Sequence, residues 1–270
     1  MKKHKIIHVF VPHKGCPHQC SFCNQRHITG QISETTPQTA REKIESYLAT
    51  IDIEKNRVEV AFYGGSFTAI DENAQIGLLE IANEYKNQGK IHGIRLSTRP
   101  DCINVDVLRR LRAYGVTEIE LGVQSMCDDV LTLNNRGHSA QDVVNAVSLI
   151  KYYGFTLGLQ MMIGLIGDDI EKSVYTAEKI AELTPDFVRI YPTLVFKNTE
   201  LHSKYLNGEY LPLDVSQAVN ICVPVMRIFK QNNIKVIRLG LLVSDEEVKN
   251  NLVAGPYHPR FRELVEKRMS

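Results

Sequence analysis

The chain has 270 residues, of which 43% are hydrophobic, so it is long enough for one barrel-sized domain or two ordinary ones with a sizeable core. A formal net charge of +1 argues against a strong electrostatic footprint for nucleic acid, although a local patch fits within it. No apolar run reaches membrane-spanning length, the basic start Met1-Lys2-Lys3-His4-Lys5 precedes no signal-length apolar stretch, and six cysteines without a secreted disulfide pattern read as cytoplasmic.

The first strand-like run, Lys5–Val11, leads into a loop in which Cys16, Cys20 and Cys23 stand at C-x3-C-x2-C. Thiolates are soft ligands that suit iron–sulfur clusters or zinc. A closed structural metal site takes four ligands, whereas three leave one position open to a substrate or cofactor. Zinc would recruit His13, His18 or His27 as a fourth ligand, and a disulfide would leave one thiol over. The loop alone leaves cluster, zinc and plain thiols all open.

Six further strand-like runs follow: Arg57–Tyr63, Gly93–Thr98, Glu118–Gln124, Thr156–Ile163, Phe187–Thr193 and Lys235–Leu239. Amphipathic segments with helix-start signals lie between them. Thr36-Pro37 places a cap before proline, Asn104 precedes the apolar spacing Val105, Leu108, Leu111, and Ser139 has Asp142 three residues on. Asp214 with Gln217 opens a long segment toward Asn233 in which Pro224 predicts a kink. Strand alternating with helix implies parallel strands with right-handed crossovers, in one α/β domain over 1–270, with the barrel at about 1–240 and a C-terminal extension at 241–270.

Strands covered by helices on both faces read as continuous apolar runs. These instead alternate: Val58, Val60 and Phe62 oppose Glu59 and Tyr63, and Ile119, Leu121 and Val123 oppose Glu118, Glu120 and Gln124. Ile94 and Leu96 oppose Arg95 and Ser97, Val188 and Ile190 oppose Arg189 and Tyr191, and in the last run Val236 and Arg238 share one face. One polar face predicts a partial (β/α)6 TIM-like barrel with a polar lumen, rather than a closed barrel filled with branched side chains. Arg95 and Glu120 are expected to pair there, since an isolated buried charge costs several kcal/mol. A one-sided sheet with a solvent face is the bland alternative.

Polar or glycine residues recur where the strands end, the face at which α/β ligands bind. Tyr63-Gly64-Gly65-Ser66 closes the second run, where glycines permit a sharp turn and close backbone approach. Ser97 ends the third before Pro100, Gln124 the fourth, and Tyr191 the sixth, while Gln160 lies in the fifth. Each alone is as well explained as a capping or turn group. Met161 and Met162 read as core, and Cys102, Cys127 and Cys222 as small buried hydrophobes. Arg136, in Asn134-Asn135-Arg136-Gly137-His138, is a solvated loop charge or a fork for a carboxylate.

Together, the stretches Val11-to-Asn24, Ala61-to-Thr68, Arg95-to-Asp101, Glu118-to-Ser125, Gln160-to-Leu165 and Val188-to-Val195 resemble the radical S-adenosylmethionine (SAM) enzymes. The likeness is nearest to bacterial proteins similar to the radical half of the Elongator catalytic subunit, with oxygen-independent coproporphyrinogen oxidase more distant. The resemblance implies a [4Fe-4S] cluster on Cys16, Cys20 and Cys23, with SAM chelating the open iron. It implies that Gly65 and Ser66 meet the methionine amino group, that Arg136 meets its carboxylate, and that Phe22 lies near the adenine. Ser97, Gln124 and Gln160 would contact the methionine or ribose part, and Tyr191 joins them as a cofactor-binding candidate.

The function implied is reductive SAM cleavage with hydrogen abstraction from a substrate, the electron arriving from a donor such as a flavodoxin or ferredoxin. A tRNA substrate follows by family analogy, and a small molecule is the rival. The Elongator subunit has a longer first cysteine gap and an acetyltransferase domain that nothing before Ser270 would supply, so acetyl transfer is not implied. Relatives of this kind run longer, which would make 241–270 a truncated extension. The alternative of a different class is a zinc-stabilised binding module without catalysis.

Overall fold

The computed structural model describes residues 3–11, 16, 18–23, 35–241 and 250–269. His13 and His27, the end of the cysteine motif at Asn24, and most of the segment following 241 lie outside the described residues. Every strand-like run of the sequence is a strand: β1 (Lys3–Val11), β2 (Asn56–Gly64), β3 (Gly93–Thr98), β4 (Glu118–Gln124), β5 (Thr156–Ile163), β6 (Phe187–Pro192) and β8 (Lys235–Leu239). These seven lie in chain order in one sheet, and the registered pairs β1–β2, β2–β3, β3–β4, β5–β6 and β6–β8 are parallel. A small antiparallel pair, β7 (Val195–Phe196) with β9 (Leu252–Ala254), stands apart from it and is too short to leave a sequence pattern.

The chain divides into two compact units. The first takes Met1–Pro17, Gln31–Leu121 and Ala146–Leu157. Its helices α1 (Pro37–Leu48), α2 (Glu72–Asn87) and α3 (Val105–Ala113) begin at side-chain caps on Thr36, Asp71 and Asn104, each accepting from a backbone amide of the first turn. Thr36 and Thr39 form a reciprocal capping box before Pro37, as the Thr-Pro start predicts. The apolar strand face, including Ile7, Val9, Val58, Val60, Phe62, Ile94, Leu96 and Ile119, is fully buried.

The opposite face of this unit is polar, as the alternation predicts. Arg95 lies on it with Glu59, Glu118, Glu120 and Tyr63. Arg95 and Glu120 share this face, as expected, and register adds a further partner. Glu118 stands opposite Arg95 and takes a guanidinium hydrogen bond, while Glu59 lies 3.4 Å from Arg95 Nε. Glu120, opposite Ser97, accepts from the Tyr63 hydroxyl at 3.0 Å, and its charge still acts on Arg95. Burial works against the Arg95 charge, yet Tyr63, Glu118 and Glu120 more than offset it and hold its pKa above the ordinary arginine value. Burial pushes the Glu118 carboxyl up despite Arg95, and the neighbouring charges of Glu120 and Glu59 push the same way.

The second unit takes His18–Gly30, Gly122–Asn145 and Gly158–Ser270. It contains α4 (Asp128–Leu133), α6 (Ile170–Glu182), α7 (Glu200–Leu206), α8 (Val215–Gln231) and α9 (Phe261–Met269); α5 (Ala140–Tyr152) runs across the division. Asp214 and Gln217 cap α8 reciprocally, and Pro224 lies inside it without ending it. Ser139 and Asp142 bond each other at the start of α5, Asp142 accepting from the Ser139 amide at 2.7 Å. Val188, Ile190, Leu159 and Met161 are buried, whereas Met162 sits half-buried on the polar face with Gln160. Simple alternation places Val236 and Arg238 together, and this is corrected by a bulge. Val236 pairs with Val188 but Arg238 pairs with Arg189, so the extra residue turns Arg238 to the polar face.

Candidate metal and cofactor site

The structure holds all six cysteines as thiols. Cys20 is buried, while Cys16 and Cys23 are half-buried. Cys23 N donates to Cys20 O at 3.1 Å, which closes a turn between the last two cysteines of the motif. The next link is a buried one: Ser21 N donates to Asn134 O at 3.1 Å and Ser21 Oγ to Asn134 Oδ1 at 2.9 Å. Asn134 Nδ2 donates onward to Val130 O and Ile166 O, and the Ile166 amide returns a bond to Asn134 Oδ1. The Asn134–Gly137 turn is thereby stitched to the cysteine loop. Sequence reading gave Asn134 and Ser21 no role. The run of Asn-Asn-Arg-Gly marks a turn, but nothing in it shows what the turn holds.

Arg136 follows Asn134 in this turn, and its side chain is 5% exposed. One guanidinium nitrogen donates to Cys20 Sγ at 3.1 Å and the other to Gly122 O at 2.6 Å. Gly137 has φ +70°, a conformation that favours glycine, and a Cβ there would fall 2.2 Å from the His18 ring. His18 itself is exposed. Among the described residues, no three His, Cys, Asp or Glu side chains converge as a set able to hold a metal ion. The fit to a cluster rests on donor chemistry: soft thiols, one of them buried with a cation on its sulfur, suit an anionic iron–sulfur group.

The remaining candidates fall into two groups. In the first unit Gly64, at the end of β2, has φ +116° and its Cα side faces the Val11 carbonyl, where a Cβ would stand 3.1 Å from the oxygen. Gly65 N donates to the same Val11 O at 2.9 Å. Ser66, 1% exposed, bonds Thr98 Oγ1 at 2.8 Å and accepts from Arg99 N at 3.3 Å, so its hydroxyl ties the β2 turn to the β3 turn. Ser97 is half-buried on the polar face. Cys102 lies in the β3 turn, its carbonyl accepting from Thr68 at 2.7 Å, and burial pushes its thiol pKa up.

In the second unit Gln124 ends β4 with φ +68°, a left-handed conformation that disfavours a long side chain by on the order of 1 kcal/mol. Its Oε1 accepts from Gln160 Nε2 at 3.2 Å, so these two amides are brought together. Tyr191 accepts from Arg189 at 3.4 Å on the same face, since Gln160 pairs with Arg189 and Met162 with Tyr191. Phe22 packs against the cluster of Val195, Leu201 and Tyr210. Cys127 is half-buried, and burial raises its thiol pKa and that of Cys222, which is fully buried in α8.

Residues 10–180 match the family model described as the Radical SAM superfamily, and residues 185–270 match the Radical_SAM C-terminal domain. Among curated proteins, the chain is 28% identical over 257 residues to the tRNA uridine(34) acetyltransferase of Methanocaldococcus jannaschii, covering 80% of this chain and 47% of that one. It is 25% identical over 304 residues to Elongator complex protein 3 of Bos taurus, covering 96% and 54%. The chain thus spans about half the length of the curated relatives it matches.

Among solved structures, it is similar to Elp3 of Methanocaldococcus infernus with an N-terminal deletion, at TM-score 0.75 and 23% identity, covering 100% of this chain and 63% of that one. It is also similar to coproporphyrinogen III oxidase (HemN) from Escherichia coli, a radical SAM enzyme, at TM-score 0.61 and 18% identity, covering 86% and 53%. These likenesses show the fold, a parallel α/β partial barrel. Among the described residues no helix is long and apolar enough to cross a membrane. The family match spans the three-cysteine loop and the strands after it, and sets aside the zinc-binding module: the chain belongs to the radical SAM superfamily, enzymes that use a [4Fe-4S] cluster and SAM.

Proposed function

We propose that Cys16, Cys20 and Cys23 hold the [4Fe-4S] cluster of this enzyme and that its substrate is a tRNA. The observation that carries the first part is the trio of thiols at C-x3-C-x2-C inside the segment matched by the family model. When bound, the cluster and SAM supply a 5′-deoxyadenosyl radical, by reductive cleavage of the sulfonium, that takes a hydrogen atom from the substrate. The chain's own residues bind and orient. Gly64 lets the backbone turn tightly against Val11 and leaves the Gly65–Ser66 turn as a rigid cradle for the methionine end of SAM. Gln124, locked by Gln160, offers its amide to the ribose or methionine part, with Ser97 and Tyr191 as further polar contacts and Phe22 near the adenine.

The tRNA reading is supported by the relatives, three of which are tRNA uridine(34) acetyltransferases. It is also supported by Arg189 and Arg238, side by side on one polar face through the β8 bulge. Adjacent guanidiniums suit a phosphate-bearing substrate. The proposal is confined to the chemistry of the matched family; acetyl transfer is no part of it. The electron donor is a flavodoxin or ferredoxin, and a cytoplasmic setting suits the six thiols.

The test is anaerobic reconstitution followed by reduction in the presence of SAM and bulk tRNA, with iron, sulfide and 5′-deoxyadenosine measured. Cys20→Ala is expected to lose both cluster and cleavage, while Cys222→Ala keeps both, because Cys222 lies in the α8 core. A wild-type protein that takes up no iron would overturn the reading. Turnover of SAM that tRNA neither accelerates nor quenches would remove the substrate assignment and leave the rest.

A further inference from the structure

The resemblance gives Arg136 to the carboxylate of SAM, and its contact with Cys20 gives it a second task. We infer that Arg136 tunes the reduction potential of the cluster through an N–H···S bond to the Cys20 ligand. This rests on the reading of the cysteines above. The guanidinium donates to Cys20 Sγ at 3.1 Å, within the range for a bond to sulfur, and both groups are buried, at 5% and 7% exposure.

The contact is built, not incidental. The second arm of the fork is fixed on the Gly122 carbonyl at 2.6 Å, within β4. The backbone on either side is pinned as well. Arg136 N donates to Leu131 O at 3.0 Å, Asn134 holds Ser21 by two bonds, and Gly137 admits the His18 ring. A planar fork with one arm on a carbonyl leaves the other at a set angle and distance, which a flexible lysine does not reproduce.

A [4Fe-4S] core with three thiolates carries net negative charge that grows on reduction. A buried cation hydrogen-bonded to a ligand sulfur favours the more negative state, because local screening by water is weak there. Arg136 therefore makes the cluster easier to reduce. In this task it is a positioning and tuning residue, acting through Cys20.

The experiment is an anaerobic redox titration, followed by electron paramagnetic resonance, of the reconstituted full chain without SAM. Wild type, Arg136→Gln and Arg136→Lys are compared at equal iron and sulfide content. The expected result is a midpoint clearly more negative in the glutamine variant, with the lysine variant between the two. Coincident midpoints would overturn the inference and return Arg136 to SAM binding alone.

Should the glutamine variant fail to hold a cluster, the wild-type protein decides. With guanidino-15N arginine incorporated, the reduced SAM-free cluster is expected to show a 15N hyperfine coupling transmitted through the N–H···S bond; its absence sinks the idea. If the wild type holds no four-iron cluster, iron and sulfide counts reveal this before any titration, and the cysteine reading falls with the inference.

Discussion

Asp168 follows β5 in the turn Gly164-Leu165-Ile166-Gly167-Asp168, with its carboxylate accepting from Gly164 N at 2.8 Å and from Ser173 Oγ at 2.8 Å. Those bonds favour the charged form, but burial outweighs them and pushes the pKa up to about 6 from an ordinary 3.8. The folded chain therefore holds this proton more tightly than the unfolded chain does. Its contribution to stability is fully present below about pH 4, falls as pH rises to about 6, and is level above that. Between pH 5 and pH 7 the loss is about 1 kcal/mol. Urea denaturation of wild type and Asp168→Asn at both pH values is the check. The wild type is expected to lose about that much more than the variant on going to pH 7, and equal losses in the two proteins would contradict the assignment. The same residue scale explains Cys222→Ala: a thiol with no exposure leaves a small cavity, on the order of 1 kcal/mol, without touching iron content.

At the scale of elements, the β2 turn offers a controlled comparison. Gly64 and Gly208 both have positive φ, +116° and +76°, but a Cβ on Gly208 meets nothing within 4 Å, whereas on Gly64 it meets the Val11 carbonyl. Gly208→Ala is expected to cost on the order of 1 kcal/mol from conformation alone. Gly64→Ala should cost about 1–3 kcal/mol and also weaken SAM binding, because Gly65 and Ser66 are carried by the same turn. Thermal unfolding and equilibrium dialysis of SAM measure the two effects, and a Gly64→Ala protein as stable as Gly208→Ala, with unchanged SAM affinity, would deny the turn its part.

Much at this scale was legible beforehand. Thr36, Asn104 and Asp214 cap where their spacing predicts, since capping depends on neighbours along the chain. The Arg238 face was not legible, because a bulge is a property of strand pairing and leaves the residue alternation of a single strand unchanged. That Glu118 stands opposite Arg95 was not legible for the same reason: register between β3 and β4 is set across strands. Arg136 was picked out by its type, but its partner, Cys20, stands 116 positions away and was invisible to spacing.

For the molecule as a whole, strand parity and alternation with helices sufficed to foresee a parallel α/β fold with one polar face, because burial on one side only imposes a period of two. The net charge of +1 then limits how such a chain can hold RNA. Without a long-range field, the proposed tRNA binding would have to come from a few local contacts, and Arg189 with Arg238 are the pair the β6–β8 register sets together on the polar face. Each phosphate contact adds a slope of about −0.7 to −0.9 in log K against log salt. The expected slope for the wild type is therefore shallow, corresponding to a handful of contacts rather than the steep dependence of a strongly basic domain. Replacing both arginines by glutamine is expected to flatten it by roughly one to two and to weaken binding of unrelated tRNAs alike, since phosphates carry no sequence information. Filter binding or fluorescence anisotropy across a salt series measures both quantities. An unchanged slope in the double variant would move the RNA surface away from this face, and a wild type that binds no tRNA at low salt would favour an anionic small molecule on the same two guanidiniums.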